Sequence, residues 1–222
     1  MKIVPQAKQI EYINSLYLSS MPQTLTRYES LNERKVLASG KQSTYRSEQM
    51  AKDSTFSLTH VDTVMAELVN KTDQKTLAIW AISCVERVLP YFEVQYPHDK
   101  RPADAIKTLQ QWIQTGIFSM EVIRKASLDA HGAARDVGED NAARSAARAA
   151  GQAVATAHVA THSLAAAKYA LQAIYRSTEP SESNVAVAEE RDWQYQQLQN
   201  LNRKFGRVKP DADKKKEEEQ VP

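Results

Sequence analysis

The chain is short of nearly everything that staples, anchors or strongly charges a protein. It has one cysteine, Cys84, in 222 residues. That excludes an intramolecular disulfide framework and a Cys-based zinc site within one chain, and makes a reducing interior the simplest compartment. No run of about 18 apolar residues occurs, so no membrane-spanning helix and no membrane partner are expected. The stretch MKIVPQAKQI at residues 1–10 lacks the long apolar core of a secretory signal, and a cytoplasmic protein is expected. An excess of one charge sign is missing too: 29 Lys+Arg stand against 27 Asp+Glu, a net charge of +2. With no global field to draw the chain onto a polyanion, nucleic acid is not an expected partner. A phosphate-cradling glycine loop, a nucleophile elbow and a His-Glu-x-x-His motif are all absent from the sequence, so no cofactor is expected and the catalytic case is weak.

What the chain does have is helical periodicity. Apolar residues recur at three and four, strict alternation of β-branched residues is missing, and 42% of residues are apolar, enough for a core. The expected class is all-α, a compact multi-helix bundle. Residues 5–19 form an amphipathic pattern with Ile10, Ile13, Leu16 and Tyr17 on one face, able to dimerise the chain or fold back on its core. Residues 39–59 are polar and Ser/Thr-rich and read as a linker, so residues 1–58 are an arm and residues 59–206 the helical domain. A short helix is expected near 61–69, and Asp73 should cap a longer one running to Tyr96 with a kink at Pro90. Arg101-Pro102 opens the next helix, which Gly116 closes, and another runs from Ser119 to Val137. Asn141 to Ser177 is so rich in alanine that it reads as a central hairpin or a long broken helix, with the break placed near Gly151. Ser183 or Asn184 should cap the last helix, and the charged segment 207–222 reads as a disordered tail.

Three groups of residues invite a chemical reading. His158 and His162 stand four apart, so on one helix they would project about 40° from each other and could share a metal, with His131 or a carboxylate such as Glu86 completing the set. Position 159 is Val, however, and no acid or cysteine on that helix completes a ligand set, so imidazoles hydrogen-bonded across an Ala-rich interface are the favoured reading. Glu86 and Arg87 interrupt the strongest apolar stripe and, with Glu93, Asp99 and Arg101, would make a polar cluster at one end of the domain. Internal ion pairs that fix helix register explain such a cluster better than acid–base catalysis. Arg144 and Arg148, with Arg124, Lys125 and Arg135, outline a basic face without the interleaved aromatics that single-stranded nucleic acid would stack on. Cys84 sits on the apolar stripe beside Trp80 and Val88, where packing is favoured over nucleophilic catalysis.

The order of several short pieces resembles one family. These are Trp80-Ala81, Cys84, Glu86–Leu89 and Phe92-Glu93; then Asp99, Arg101 and Pro102; then Trp112, Ala157–Ala160 and His162; and finally Trp193-Gln194. Together they resemble the Imm-5-like domain, over about Val61 to Leu201. Its members are called immunity proteins of polymorphic toxin systems. The resemblance implies an all-α, non-enzymatic binding module whose partner is a cognate protein toxin, made by the same or a neighbouring cell. It carries over no catalytic residue, and it makes Glu86, Arg87, Glu93, Asp99, Arg101, His158, His162 and Trp193 a partner or structural site. The alternative is a helical-bundle enzyme holding metal on His158, His162 and His131.

Overall fold

In a computed structural model the described residues are 63–205, and they form eight helices. The expectations for the arm and linker at 1–58 and for the tail at 207–222 lie outside them. The helices are α1 (Thr63–Asn70), α2 (Gln74–Glu86), α3 (Pro90–Glu93), α4 (Arg101–Thr115), α5 (Met120–Asp136), α6 (Ala142–Ala155), α7 (His162–Ser177) and α8 (Ser183–Phe205). The class is all-α, as the periodicity predicts.

Local chemistry sets most boundaries. Asp73 Oδ1 accepts from the backbone N–H of Lys75 and Thr76, both at 3.1 Å, which satisfies two orphan donors at the start of α2. Asn141 does the same for the N–H of Arg144 at 2.9 Å and so starts α6. Gly116 closes α4 with φ of 71°, a left-handed conformation that lets its N–H reach Trp112 O at no steric cost. Ser183 is not the cap expected for α8: it is already helical, and its hydroxyl donates to Pro180 O at 3.0 Å.

Two breaks fall elsewhere than the sequence suggests. The expected kink at Pro90 is a full interruption. Proline has no N–H to give Glu86 O, and its ring would clash with that carbonyl. Helix α2 therefore ends at Glu86, and Pro90 opens the short α3. The break in the Ala-rich stretch lies at residues 156–161 and not at Gly151. β-Branched Thr156, Val159 and Thr161 weaken helix there. The stretch is therefore a hairpin of α6 and α7, one of the two forms expected.

Gly151 stays inside α6 because another side chain needs its missing methyl. A Cβ there would sit 2.9 Å from Cε1 of His131. Gly151→Ala should gain helix propensity, about 1 kcal/mol, but must push the imidazole aside. We expect it to be neutral or destabilising in the wild-type background and stabilising by about 1 kcal/mol in His131→Ala, read from urea midpoints.

Helix α6 is the hub, packing on α5, α7, α4, α2 and α3. Its alanines 143, 146, 147, 149, 150 and 153 are buried, and such small side chains let neighbours approach closely. Helix α2 is buried on all sides from Thr76 to Val85, a wider apolar surface than the expected stripe. It lies against α6, α7, α8 and α4.

Candidate functional site

The polar cluster expected at one end separates into three places. Arg87, just beyond α2, reaches across to α8. Its Nε donates to Glu190 Oε2 at 2.9 Å and Oε1 at 3.2 Å, and its guanidinium lies 4.1 Å over the Trp193 ring. Gln194 extends the knot: its Nε2 donates to Ala167 O on α7 and, at 3.5 Å, to Glu190 Oε1, while its own carbonyl accepts from Trp80 Nε1 at 2.9 Å. The Glu190 side chain is 2% exposed and that of Arg87 28%. Burial raises the Glu190 pKa, and the Arg87 charge works against that rise.

Arg101 belongs to a different place. Its Nη2 bridges Asp99 Oδ2 and Asp136 Oδ2, both at 2.6 Å, tying the start of α4 to the end of α5. Hydrogen bonding from Arg101 holds the Asp99 carboxyl below its ordinary range. Glu93 is exposed on α3.

Glu86 stands apart from both. Its Oε1 is buried without a hydrogen-bond partner, and burial pushes its pKa up to about 7. A folded value above the unfolded one means the native state holds an extra proton between pH 4.5 and 7. That contribution is complete below the unfolded pKa and is lost as pH rises through the folded one. Glu86→Gln should therefore stabilise the protein by roughly 2–3 kcal/mol at pH 8 and change little at pH 4.5. Urea denaturation at the two pH values measures it, and equal effects at both would remove the buried-carboxyl account.

The histidines do not share a helix face. His158 lies in the 156–161 turn and His162 opens α7, with ring centroids 5.9 Å apart. The 40° relation behind the metal reading is therefore lost. His162 Nδ1 lies 2.7 Å from Gln152 Oε1 on α6, a contact in which an Nδ1–H donates to the amide oxygen. This contact joins α7 to α6 through His162. Burial lowers the His162 pKa and neighbouring His158 lowers it further. His131 comes from α5, with its Nδ1 buried and unpartnered. Burial depresses its pKa first, then the charges of Arg148 and Arg135. Among the described residues no group of three or more His, Cys, Asp or Glu stands close enough to hold a metal ion. Cys84 is fully buried and its thiol pKa is raised, chiefly by burial, which disfavours the reactive thiolate.

Glu190 and Asp136 carry no local signal for their roles, because each is defined by an arginine far along the chain. Only the i,i+4 spacing of Glu190 and Gln194 hinted that two polar residues of α8 face inward together.

A family model described as Imm-5 like putative immunity protein matches residues 67–201, from within α1 to near the end of α8. No curated protein and no solved structure matches the chain.

Proposed function

The chain belongs to that immunity-protein family, and from this premise we propose that it neutralises a protein toxin by binding it, without catalysing a reaction. The observation that supports a binding role is a run of uncovered apolar side chains where α4 passes into α5. Ile117 is 77% exposed, Val122 53%, and Phe118 and Met120 46% each. Scattered apolar residues are ordinary on a surface, but a contiguous set of large ones marks a protein contact. Arg101, Asp99 and Asp136 satisfy one another within the chain, so that end suits architecture better than docking. No helix among the described residues is long and apolar enough to cross a membrane. The cytoplasmic setting expected from the lone cysteine remains part of this reading.

Affinity capture of the tagged full chain from its source cells, with mass spectrometry and metal analysis of the captured material, tests it. A stoichiometric protein with a toxin domain is expected. A partner-free preparation carrying bound metal would overturn the proposal.

A further inference from the structure

The open face of α5 changes character along its length. Met120, Arg124, Leu128, His131 and Arg135 recur at spacings of four, four, three and four, so they share an arc of roughly 80° over about 22 Å of helix. Most of that arc is solvent-facing: Met120 is 46% and Leu128 53% exposed, and Arg124 and Arg135 are exposed, while the half-buried His131 turns its ring against Gly151 of α6. Its first end continues into the apolar Ile117 and Phe118. Its other end meets cations from neighbouring helices. His131 feels the charges of Arg148 and Arg135, and Arg176 on α7 feels those of Arg144 and Arg148.

The cationic end is rich in donors without acceptors. Among the described residues Arg124, Arg135 and the half-buried Arg148 have no ion-pair or hydrogen-bond partner. The buried Nε of Arg144 and Nδ1 of His131 are unpartnered as well. One carboxylate is already seated there: the mostly exposed Asp140 reaches Arg144 Nη1 at 3.3 Å and Arg176 Nη2 at 3.5 Å. The acids elsewhere on α5 are engaged away from the arc, Asp129 with Lys125 and Asp136 with Arg101. Glu121, exposed in the first turn, lies at its edge.

Resting on the toxin-binding reading, we propose that this face is the docking surface and that its occupant is an amphipathic acidic segment of the partner protein. The apolar side chains of that segment cover Phe118, Met120 and Leu128, and its carboxylates pair with Arg135, Arg144 and Arg148. A carboxylate in that position gives Arg148 an acceptor and offsets the repulsion among the clustered cations. Nucleic acid fits the face less well, because Met120 and Leu128 make two of the five arc positions aliphatic and no Phe, Tyr or Trp alternates with the arginines.

The probes are a labelled amphipathic Leu/Glu peptide, the same peptide with Lys for Glu, and a single-stranded oligonucleotide, titrated against the full chain by fluorescence anisotropy. The Leu/Glu peptide should bind at least about tenfold more tightly than the Lys version, and more weakly as salt rises. Leu128→Asp, Arg148→Gln and Arg148→Glu should each weaken it about tenfold or more, while the remote Lys107→Glu should not. Leu128→Asp is a surface change, so it keeps the test valid should an Arg148 variant fold poorly. No preference between the peptides, tighter binding of the oligonucleotide, or indifference to both positions would overturn the proposal. Self-association abolished by Leu128→Asp would assign the face to a second copy and overturn it equally. A captured toxin that still binds Arg148→Glu would sink this surface while leaving the immunity reading intact. Peptide binding that depends on Arg148, in a chain that neutralises nothing, would do the reverse.

Discussion

Replacing Arg87 with alanine should destabilise the protein by about 3–5 kcal/mol, because it leaves the Glu190 carboxylate buried and unpaired. The loss should be smaller at low pH. With Arg87 gone, only the Gln194 hydrogen bond still works against burial, and the Glu190 pKa rises further above its unfolded value. The stabilising proton on Glu190 is then in place below the unfolded pKa and lost as pH climbs through the folded one. Urea unfolding at pH 5 and pH 8 should therefore show the larger deficit at pH 8. The double variant Arg87→Met/Glu190→Leu should recover most of the loss, since apolar replacement of a buried pair is often neutral or favourable. A double variant as unstable as the single one would mean that the charges themselves, and the rest on Trp193, are indispensable to the α2–α8 contact.

The second large effect is expected at Trp80. Its side chain is fully buried on α2, and its indole N–H donates to the carbonyl of Gln194 in α8. Trp80→Ala combines a cavity with the loss of the second hydrogen bond to Gln194 O, which keeps its helical donor within α8, and we expect a loss of about 3–5 kcal/mol. Trp80→Phe keeps much of the volume and should cost about 1–2 kcal/mol, for the lost indole hydrogen bond and the space the smaller ring leaves. Equal stability of Trp80→Phe and wild type would show that the indole hydrogen bond adds nothing beyond the helical donor of Gln194 O and that α8 docks by shape alone.

The two predictions share one physical cause, which also explains what could be read from the sequence. Helix class, the caps at Asp73, Ser119 and Asn141, and the stop at Gly116 are local, and local chemistry is written in residue order. Gly151 misled the reading because glycine in a helix can mark either a break or a near approach, and only the His131 ring distinguishes them. The polar cluster was half legible. Glu86, Arg87, Asp99 and Arg101 were visible as charges out of place on an apolar pattern, but their partners Glu190 and Asp136 lie too far along the chain for any periodicity to connect. His158 and His162 differ: their spacing carries meaning only on a continuous helix, and β-branched Thr156, before His158, and Val159 and Thr161, between the two histidines, interrupt it.

Most of the polar side chains that first suggest chemistry thus hold helices to one another. Arg87 and Gln194 fasten α8 to its neighbours, Arg101 fastens α4 to α5, and His162 fastens α7 to α6. Of the buried atoms without partners among the described residues, His131 Nδ1 and Arg144 Nε lie with the unpaired Arg124, Arg135 and Arg148 along α5 and beside it, whereas Glu86 Oε1 and Asn202 Oδ1 lie on α2 and α8. That division favours a protein whose interior serves rigidity and whose surface serves recognition, as tight inhibition requires.

The most direct measurement is a titration of the captured toxin's activity with the purified full chain. Neutralisation by binding predicts that activity falls linearly and reaches its floor at one chain per toxin, with the toxin unchanged in mass afterwards. Loss of activity at a small fraction of that ratio, with a covalently altered toxin, would contradict the account and make the chain an enzyme.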